Sequence, residues 1–359
     1  MYMIKILHSG DWHLDSPMLG HSEQQSRFLR NALAQVPGKM AAVRRQYGCD
    51  LVLLAGDLLD GACSAQTYQD LYCALQDMEV PVFITPGNHD FGASDSIWNT
   101  RDWPENVYIF KGETVQSVAL PELDLRLYGA GFESMDCPGL LRDFKAQQQE
   151  KYAVGVFHGD PTQVNSSYNP ITTAQVESTG FDYLALGHIH KGGSFQAGKT
   201  LCAWPGCPMG RGYDEPGEKG VLVVTLEDTA KATFVPLDTP RFYNLQVPAE
   251  DNAQAALNEI LPPMGSEDFY RITLTGPSEP VNIQELIQVF SRFPNLKLRD
   301  KTTPPLDIWG SAGEDSFEGI FFSLLQQQLK VSDEVQQEKI RLAAKISRQI
   351  LNGQEVELP

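Results

Sequence analysis

Side chains able to hold a metal ion or move a proton recur in short clusters over the first 190 or so residues: Asp11-Trp12-His13, Gly56-Asp57, Gly87-Asn88-His89-Asp90, His158 and Gly187-His188-Ile189-His190. None of these polar groups can be buried without a partner. Together they offer hard oxygen donors mixed with imidazoles, which suits a borderline-hard divalent ion such as manganese, iron or zinc. Magnesium or calcium would take oxygens alone, and a structural zinc site would want thiolates. Asp11, His13, Asp57, Asn88, His158, His188 and His190 are more donors than one ion needs. Two ions about 3.5–4 Å apart clamp the attacking and leaving oxygens of an in-line displacement at phosphorus. The chemistry implied is phosphoester hydrolysis with two divalent ions, manganese first and iron or zinc as alternatives.

The elements that must position these groups are legible around them. Apolar runs at 3–8, 50–55, 82–85, 152–157 and 183–186 each lead directly into one of the clusters. Residues 22 to 47 read as helical with a break near Pro37-Gly38, and residues 65 to 78 as another helix. Strand, helix, strand, helix, strand is the rhythm of a parallel α/β sheet, whose active sites lie beyond the carboxyl ends of the strands. Asp11 and His13, as alternate residues at a strand end, can turn toward one point. All seven histidines precede residue 191, and five of them, His13, His89, His158, His188 and His190, stand at such ends. A lone histidine there is ordinarily a satisfied core or capping residue, but five beside Asp11, Asp57 and Asn88 leave that reading without support.

At 359 residues the chain exceeds one ordinary core and reads as a main domain plus something smaller. No apolar run approaches membrane-spanning length, and the first residues form a strand pattern, so a cytoplasmic protein without membrane contact is expected. The six cysteines show no Cys-x-x-Cys pair and are expected as buried, reduced thiols. A net charge of -18 argues against nonspecific adhesion to nucleic acid. It leaves a phosphodiester substrate open, because divalent cations supply local positive charge.

Taken in order, the motifs Asp11-x-His13, Gly56-Asp57, Gly87-Asn88-His89-Asp90, His158 and Gly187-His188-x-His190 resemble those of the calcineurin-like metallophosphoesterase superfamily, over roughly residues 1 to 238. The resemblance implies an α/β fold, a four-layer αββα sandwich of two packed sheets with outer helices. It also implies that Asp11, His13 and His190 hold one metal, that Asn88, His158 and His188 hold the other, and that Asp57 bridges them. His89 would act on the scissile phosphate as an acid or charge stabiliser, with Asp90 orienting its ring.

Protein phosphatases of the superfamily carry Asp-Arg-Gly after the second motif and Glu closing the third; here stand Asp60-Gly61-Ala62 and Asp90, which disfavours that branch. Asp11-Trp12-His13-Leu14-Asp15-Ser16-Pro17, with Pro205-Gly206-Cys207-Pro208 and Pro216-Gly217-Glu218-Lys219-Gly220-Val221, is similar to the SbcD and YhaO-like DNA repair exonucleases. DNA is then the implied partner. Arg211 is the candidate contact to substrate phosphate, with a solvated surface arginine as the equal alternative. Many members of that branch have a second histidine three residues after the bridging aspartate, where this chain has Asp60, so exonuclease activity is less secure than phosphodiesterase chemistry. A phosphatase or cyclic-nucleotide phosphodiesterase with a small substrate is the alternative.

After Pro240 the pattern alternates strands and helices with no histidine at all. Residues 239 to 312 read as a small α/β domain, by resemblance the capping domain that guides DNA, with a module for stability or for dimerisation, giving a homodimer, as the alternative. Residues 313 to 359 read as a helical hairpin. Phe317, Ile320, Phe321, Leu324, Leu325 and Leu329 form one apolar stripe, and Val335, Leu342, Ile346 and Ile350 the other. Such a hairpin either packs on its own domain or, as the nuclease branch implies, docks on an SbcC-like ATPase.

Overall fold

The computed structural model describes residues 3–147, 149–249 and 252–356. They fall into two compact units, one running to Asn244 with Glu267–Arg271 and the other comprising Leu245–Ser266 and the chain from Ile272 onward.

The first unit starts with β1 (Ile4–Ser9), α1 (Glu23–Ala34), α2 (Val36–Tyr47), β2 (Leu51–Leu54), α3 (Ala65–Gln76), β3 (Val82–Ile84), α4 (Ile97–Thr100) and β4 (Val107–Ile109). It continues through β5 (Gln116–Leu120), β6 (Leu125–Ala130), β7 (Tyr152–His158), α5 (Thr173–Thr179) and β8 (Tyr183–Gly187). Four strands complete it: β9 (Lys191–Ala197), β10 (Thr200–Gly206), β11 (Gly220–Leu226) and β12 (Ala230–Pro236). They build two six-stranded sheets, in the orders β12-β11-β1-β2-β3-β4 and β5-β6-β7-β8-β10-β9. β1 to β4 are parallel, as are β6, β7, β8 and β10, so the residues after β1, β2, β3, β7 and β8 emerge at carboxyl ends.

Layering follows from which face each side chain takes. Ile6, Leu53 and Phe83 of the first sheet pack with Leu127, Val156 and Tyr183 of the second. On the far face of the first sheet, Val52 and Leu54 meet Leu29, Leu33, Met40, Leu71 and Leu75 of the helices. On the far face of the second, Phe157 and Leu184 meet Val176 of α5. Helix, sheet, sheet, helix is therefore the four-layer αββα sandwich. The strands β2, β7 and β8 are covered on both sides and buried along their whole length, which is why they read as unbroken apolar runs.

The expected helix break lies earlier than Pro37-Gly38. α1 ends and α2 begins around Gln35, and Pro37 sits in the first turn of α2, where the missing N–H is no loss. Cys49, Cys137, Cys202 and Cys207 are buried free thiols, but Cys63 is half-buried and Cys73 exposed, since it lies on the outer side of α3.

The second unit carries β13 (Phe242–Pro248), α6 (Ala253–Ile260), β14 (Phe269–Thr275), α7 (Ile283–Val289) and β15 (Leu296–Asp300), in part shared with the first by the strand starts. The three strands form one sheet, β13-β14-β15. The stretch near 250 to 260 reads in sequence as an acidic helix, and its residues 250 and 251 lie outside the described residues. α8 (Phe317–Val331) and α9 (Glu334–Leu351) form the terminal hairpin. Its seam differs from the expected stripes: the buried positions are Gly319 and Phe322 on α8 and Ile340, Ala344 and Arg348 on α9, with the Arg348 guanidinium 4.0 Å from the Phe322 ring. Phe317, Ile320, Leu324, Val335, Leu342 and Ile350 are exposed. A long arginine can cover apolar surface with its stem while its head reaches Glu318, so a seam built on it escapes a search for apolar spacing. No described helix is long and apolar enough to cross a membrane.

Candidate active site

The loops after β1, β2, β3, β7 and β8 bring Asp11, His13, Asp57, Asn88, His158, His188 and His190 together. Asp11 and His13 do not lie in extended strand; they follow its end with φ of 53° and 50°, and Asp57 and His188 also have positive φ, 52° and 98°. Left-handed backbone in residues other than glycine is held only where its surroundings over-determine it, and such strain gathers at functional sites. Here the loops after β1 and β2 hold each other, through Asp11 N–H to Gly56 O at 2.9 Å and His13 N–H to Asp57 O at 3.0 Å. Close approach also explains two glycines. A Cβ on Gly87 would strike the Asp57 carboxylate, and one on Gly187 would strike the Ala55 carbonyl.

Asp57 is buried, accepts the His89 N–H at 2.8 Å on one oxygen, and places the other 3.4 Å from His158 Nε2 and 3.9 Å from His13 Nε2. The Asn88 amide oxygen lies 3.0 Å from His158 Nε2 and 3.2 Å from His188 Nδ1. His13 and His190 face each other, Nε2 to Nε2, at 3.1 Å. His13 Nδ1 is buried and makes no close hydrogen bond among the described residues. Burial lowers the His13 pKa, and burial with the nearby His158 lowers that of His188 to about 4. For His158, burial acts downward, but the charge and hydrogen bonding of Asp57, the Asp11 charge and the Ala55 carbonyl together outweigh it and raise the pKa to about 9.

This donor set fits divalent cations. Asp11, His13 and His190 each offer a ligand atom within 4.8 Å of the others, and so do Asp11, Asp57 and His158. Imidazole lone pairs turned on one another beside buried carboxylates call for an electron-pair acceptor and a positive charge, both of which a divalent cation supplies.

His89 stands apart, with its side chain 45% exposed. It lines a hollow of about 360 Å³. Among the described residues Asp90 makes no hydrogen bond to its ring. Buried, Asp90 takes backbone N–H bonds from Gly87 at 2.7 Å, Asp57 at 3.2 Å, Leu58 at 2.8 Å and Leu59 at 3.3 Å, tying the loop after β3 to the loop after β2. Burial and the Asp57 charge push its pKa up to about 7, while these donors favour the anion. The partner of the His89 ring is Asp60, whose Oδ1 lies 2.9 Å from Nδ1 and raises the His89 pKa. Asp60 also lies 3.8 Å from His13 Nδ1, and the two imidazoles hold its carboxyl well below the usual range. The position without the second histidine is thus occupied by a carboxylate that aims the first.

Arg211 is not a solvated surface side chain. Glu215 accepts its backbone N–H at 2.8 Å and its guanidinium at 3.0 Å, and the guanidinium lies 3.9 Å from Asp60 and 3.3 Å from His190 Nδ1. Glu215 itself, buried and 2.6 Å from His190 Nδ1, is the residue that sequence reasoning missed. Its partner is 25 residues away in the chain and its own neighbours, Asp214 and Pro216, spell an ordinary turn. Its carboxyl is held well below the usual range by His190 and Arg211 against the opposing effect of burial. His8 is buried against Tyr183 and Leu186 O, and burial lowers its pKa to about 3, a core histidine.

Residues 4–192 match the calcineurin-like phosphoesterase family. The chain is 29% identical over 235 residues to YhaO of Bacillus subtilis (strain 168), an uncharacterized metallophosphoesterase, covering 62% of this chain and 57% of that protein, less than two thirds of its length. It is 24% identical over 275 residues to the SbcD component of the SbcCD nuclease from the same organism, covering 64% of this chain and 68% of that one. A crystal structure of a dimetal phosphatase from Danio rerio is similar at 11% identity and a TM-score of 0.42, covering 65% of this chain and 98% of that one. The matched span takes in the strand-end clusters from Asp11 to His190, and by that match the chain belongs to the calcineurin-like phosphoesterase family.

Proposed function

We propose that the protein is a two-metal-dependent phosphodiester hydrolase whose substrate is DNA. The observation that carries the hydrolase reading is the place of Asp57, with His13 and His158 on either hand at 3.9 and 3.4 Å. In this reading Asp11, His13 and His190 hold one ion, Asn88, His158 and His188 hold the other, and Asp57 serves both. Manganese is the ion we favour, with iron or zinc as alternatives. Such ions polarise the phosphoryl oxygens and lower the pKa of water.

The chain's own residues do the rest. Asp60 accepts from His89 Nδ1, so the ring presents Nε2 to the substrate and, protonated, can give its proton to the leaving oxygen or balance charge on the phosphate. Asp90 holds the loops that carry Asp57 and His89 in register. The Arg211 guanidinium, steadied by Glu215, is placed to contact a phosphate oxygen.

Similarity to the SbcD component of the SbcCD nuclease supports DNA as the substrate. In this reading residues 1 to 238 are the nuclease domain, 239 to 312 a capping domain, and 313 to 359 a hairpin that docks on an SbcC-like ATPase. Apolar residues left open on the hairpin support the docking: Val335 is 65% and Ile350 61% exposed, whereas Ile346 is half-buried and adds nothing to it. A partner would also supply positive charge that a chain of net charge -18 lacks. That same charge favours the second reading, a phosphatase or cyclic-nucleotide phosphodiesterase with a small substrate. A manganese-dependent assay comparing end-labelled DNA with bis(p-nitrophenyl) phosphate separates them. Shortened DNA is the expected result; cleavage of the small diester alone removes the nuclease reading and keeps the hydrolase.

A further inference from the structure

We infer that the cleft between the edge strands β9 and β12 is a subsite for one nucleotide unit, taking its phosphate on Lys219 and its base against Phe234. The inference rests on the reading of the substrate as DNA and names where a nucleotide next to the scissile phosphate would lie.

β9 and β12 each form one edge of their sheet, and the cleft between them has a volume of about 520 Å³. That is within the range of small-ligand pockets, roughly 300–1,000 Å³. Its apolar side comes from Ala203, Leu222, Ala232 and Phe234. Val235 packs on the helix side of the first sheet, so the alternation of a strand turns Ala232 and Phe234 to the other face, beside Leu222. Phe234 remains 41% exposed there, an aromatic ring with no aromatic partner among the described residues.

Lys219 lines the same cleft and is only 8% exposed. Its Nζ meets one protein acceptor, the His190 carbonyl, at a long 3.4 Å, and among the described residues no carboxylate lies within ion-pair distance. The neighbouring acid, Glu218, is engaged with Arg241 at 3.0 Å. A buried ammonium with one weak acceptor and no counter-charge is costly unless an anion completes it. Lys191 adds a second cation at the cleft.

An anion-seeking group beside an open aromatic ring describes the two ends of a nucleotide, whose base stacks and whose phosphate pairs. His190 ties the cleft to the chemistry. It lines the cleft, its carbonyl accepts from Lys219, and its ring belongs to the candidate ligand cluster with Asp11 and His13.

The test is calorimetric titration of the full chain, as purified with its metal, with dAMP, inorganic phosphate and deoxyadenosine. Wild type should bind dAMP more tightly than either fragment. Lys219→Gln should weaken dAMP about tenfold or more, the loss expected of a charge-assisted hydrogen bond. In Phe234→Ala, a change at a partly exposed position, the advantage of dAMP over phosphate should vanish. Equal binding of dAMP and phosphate by wild type, or unchanged dAMP binding in both variants, overturns the subsite. DNA cleavage on the same samples keeps the two readings apart. If wild type cuts DNA while both variants bind dAMP normally, the subsite fails alone. If no DNA is cut yet dAMP binding depends on Lys219, the DNA reading fails and the cleft stands as a nucleotide site.

Discussion

Around His158 the candidate site is braced by main chain and amides, and around His190 by charged side chains. His158 is fully buried, its Nδ1 donates to the Ala55 carbonyl at 2.8 Å, and its own carbonyl accepts from the Asn169 amide at 2.8 Å. His190 is 28% exposed at the side chain, and its Nδ1 meets Glu215 at 2.6 Å with Arg211 beside it. The first arrangement is as rigid as the sheets, since Ala55 ends one strand run and His158 ends another. The second depends on a carboxylate from a distant loop, so single side chains can alter it without disturbing the core. Outer partners of this kind orient a ligand and set its basicity.

The largest effect should come where the two arrangements meet. Asp57→Asn should lower bound divalent metal and abolish phosphodiester hydrolysis with the fold retained; unchanged metal by elemental analysis would remove Asp57 from its proposed place. Next is the group outside both. His89→Ala should keep the metal and lose roughly 10²–10⁴-fold in turnover, as expected of a positioned acid. Loss of metal from that variant would make His89 a ligand and redraw the roles.

The comparison itself is sharpened by a pair of variants. Glu215→Gln should weaken metal binding about 10–100-fold while melting near the wild-type temperature, because what it loosens is the orientation of His190 and Arg211 and not the packing of the sheets. Asn169→Ala, buried at the His158 carbonyl, should instead lower the melting temperature. If both act mainly on stability, the contrast between main-chain and side-chain bracing is wrong.

A smaller effect should appear in the pH dependence of metal-free protein. The His158 pKa is raised to about 9 from 6.5, so the protonated ring stabilises the fold fully below pH 6.5, and that stabilisation fades as pH rises toward 9. His188, lowered to about 4, works the other way: its contribution is present above pH 6.5 and is lost as pH falls toward 4. The melting temperature in chelator should therefore fall on the alkaline side between about 6.5 and 9, and added metal should flatten that fall by replacing the proton as counter-charge. A metal-free protein whose melting is level across that window would contradict the His158–Asp57 pairing.

The smallest effect on chemistry should come from the region without histidines. Truncation after Leu306 should leave hydrolysis of a small diester nearly unchanged, since the proposed ligands precede residue 191. It should also abolish copurification with an SbcC-like ATPase. If the truncated chain unfolds, the hairpin is core and the docking reading is lost.

Strand-end clusters were legible from sequence because β2, β7 and β8 are buried on both faces and therefore spell apolar runs that stop where the polar groups start. Residue type alone announced the chemistry, since imidazoles and carboxylates in that number do not pack without partners. What sequence could not assign was the partner of each group. Asp90, next in the chain to His89, looked like the residue that orients it, yet its oxygens are drawn to four backbone N–H groups and the ring goes to Asp60, 29 positions away. Glu215 and the Lys219 cleft carry no local signature, because a carboxylate or lysine in a Gly and Pro-rich loop reads as solvated. Hydrogen bonds and ion pairs follow distance in space and not separation in the chain, so only the packing of two sheets decided which loop side chains were buried together. The hairpin teaches the same point: apolar spacing foretold two helices, but the seam formed on Phe322 and Arg348, because the geometry of the crossing and not the hydrophobicity of the stripe selects what is covered.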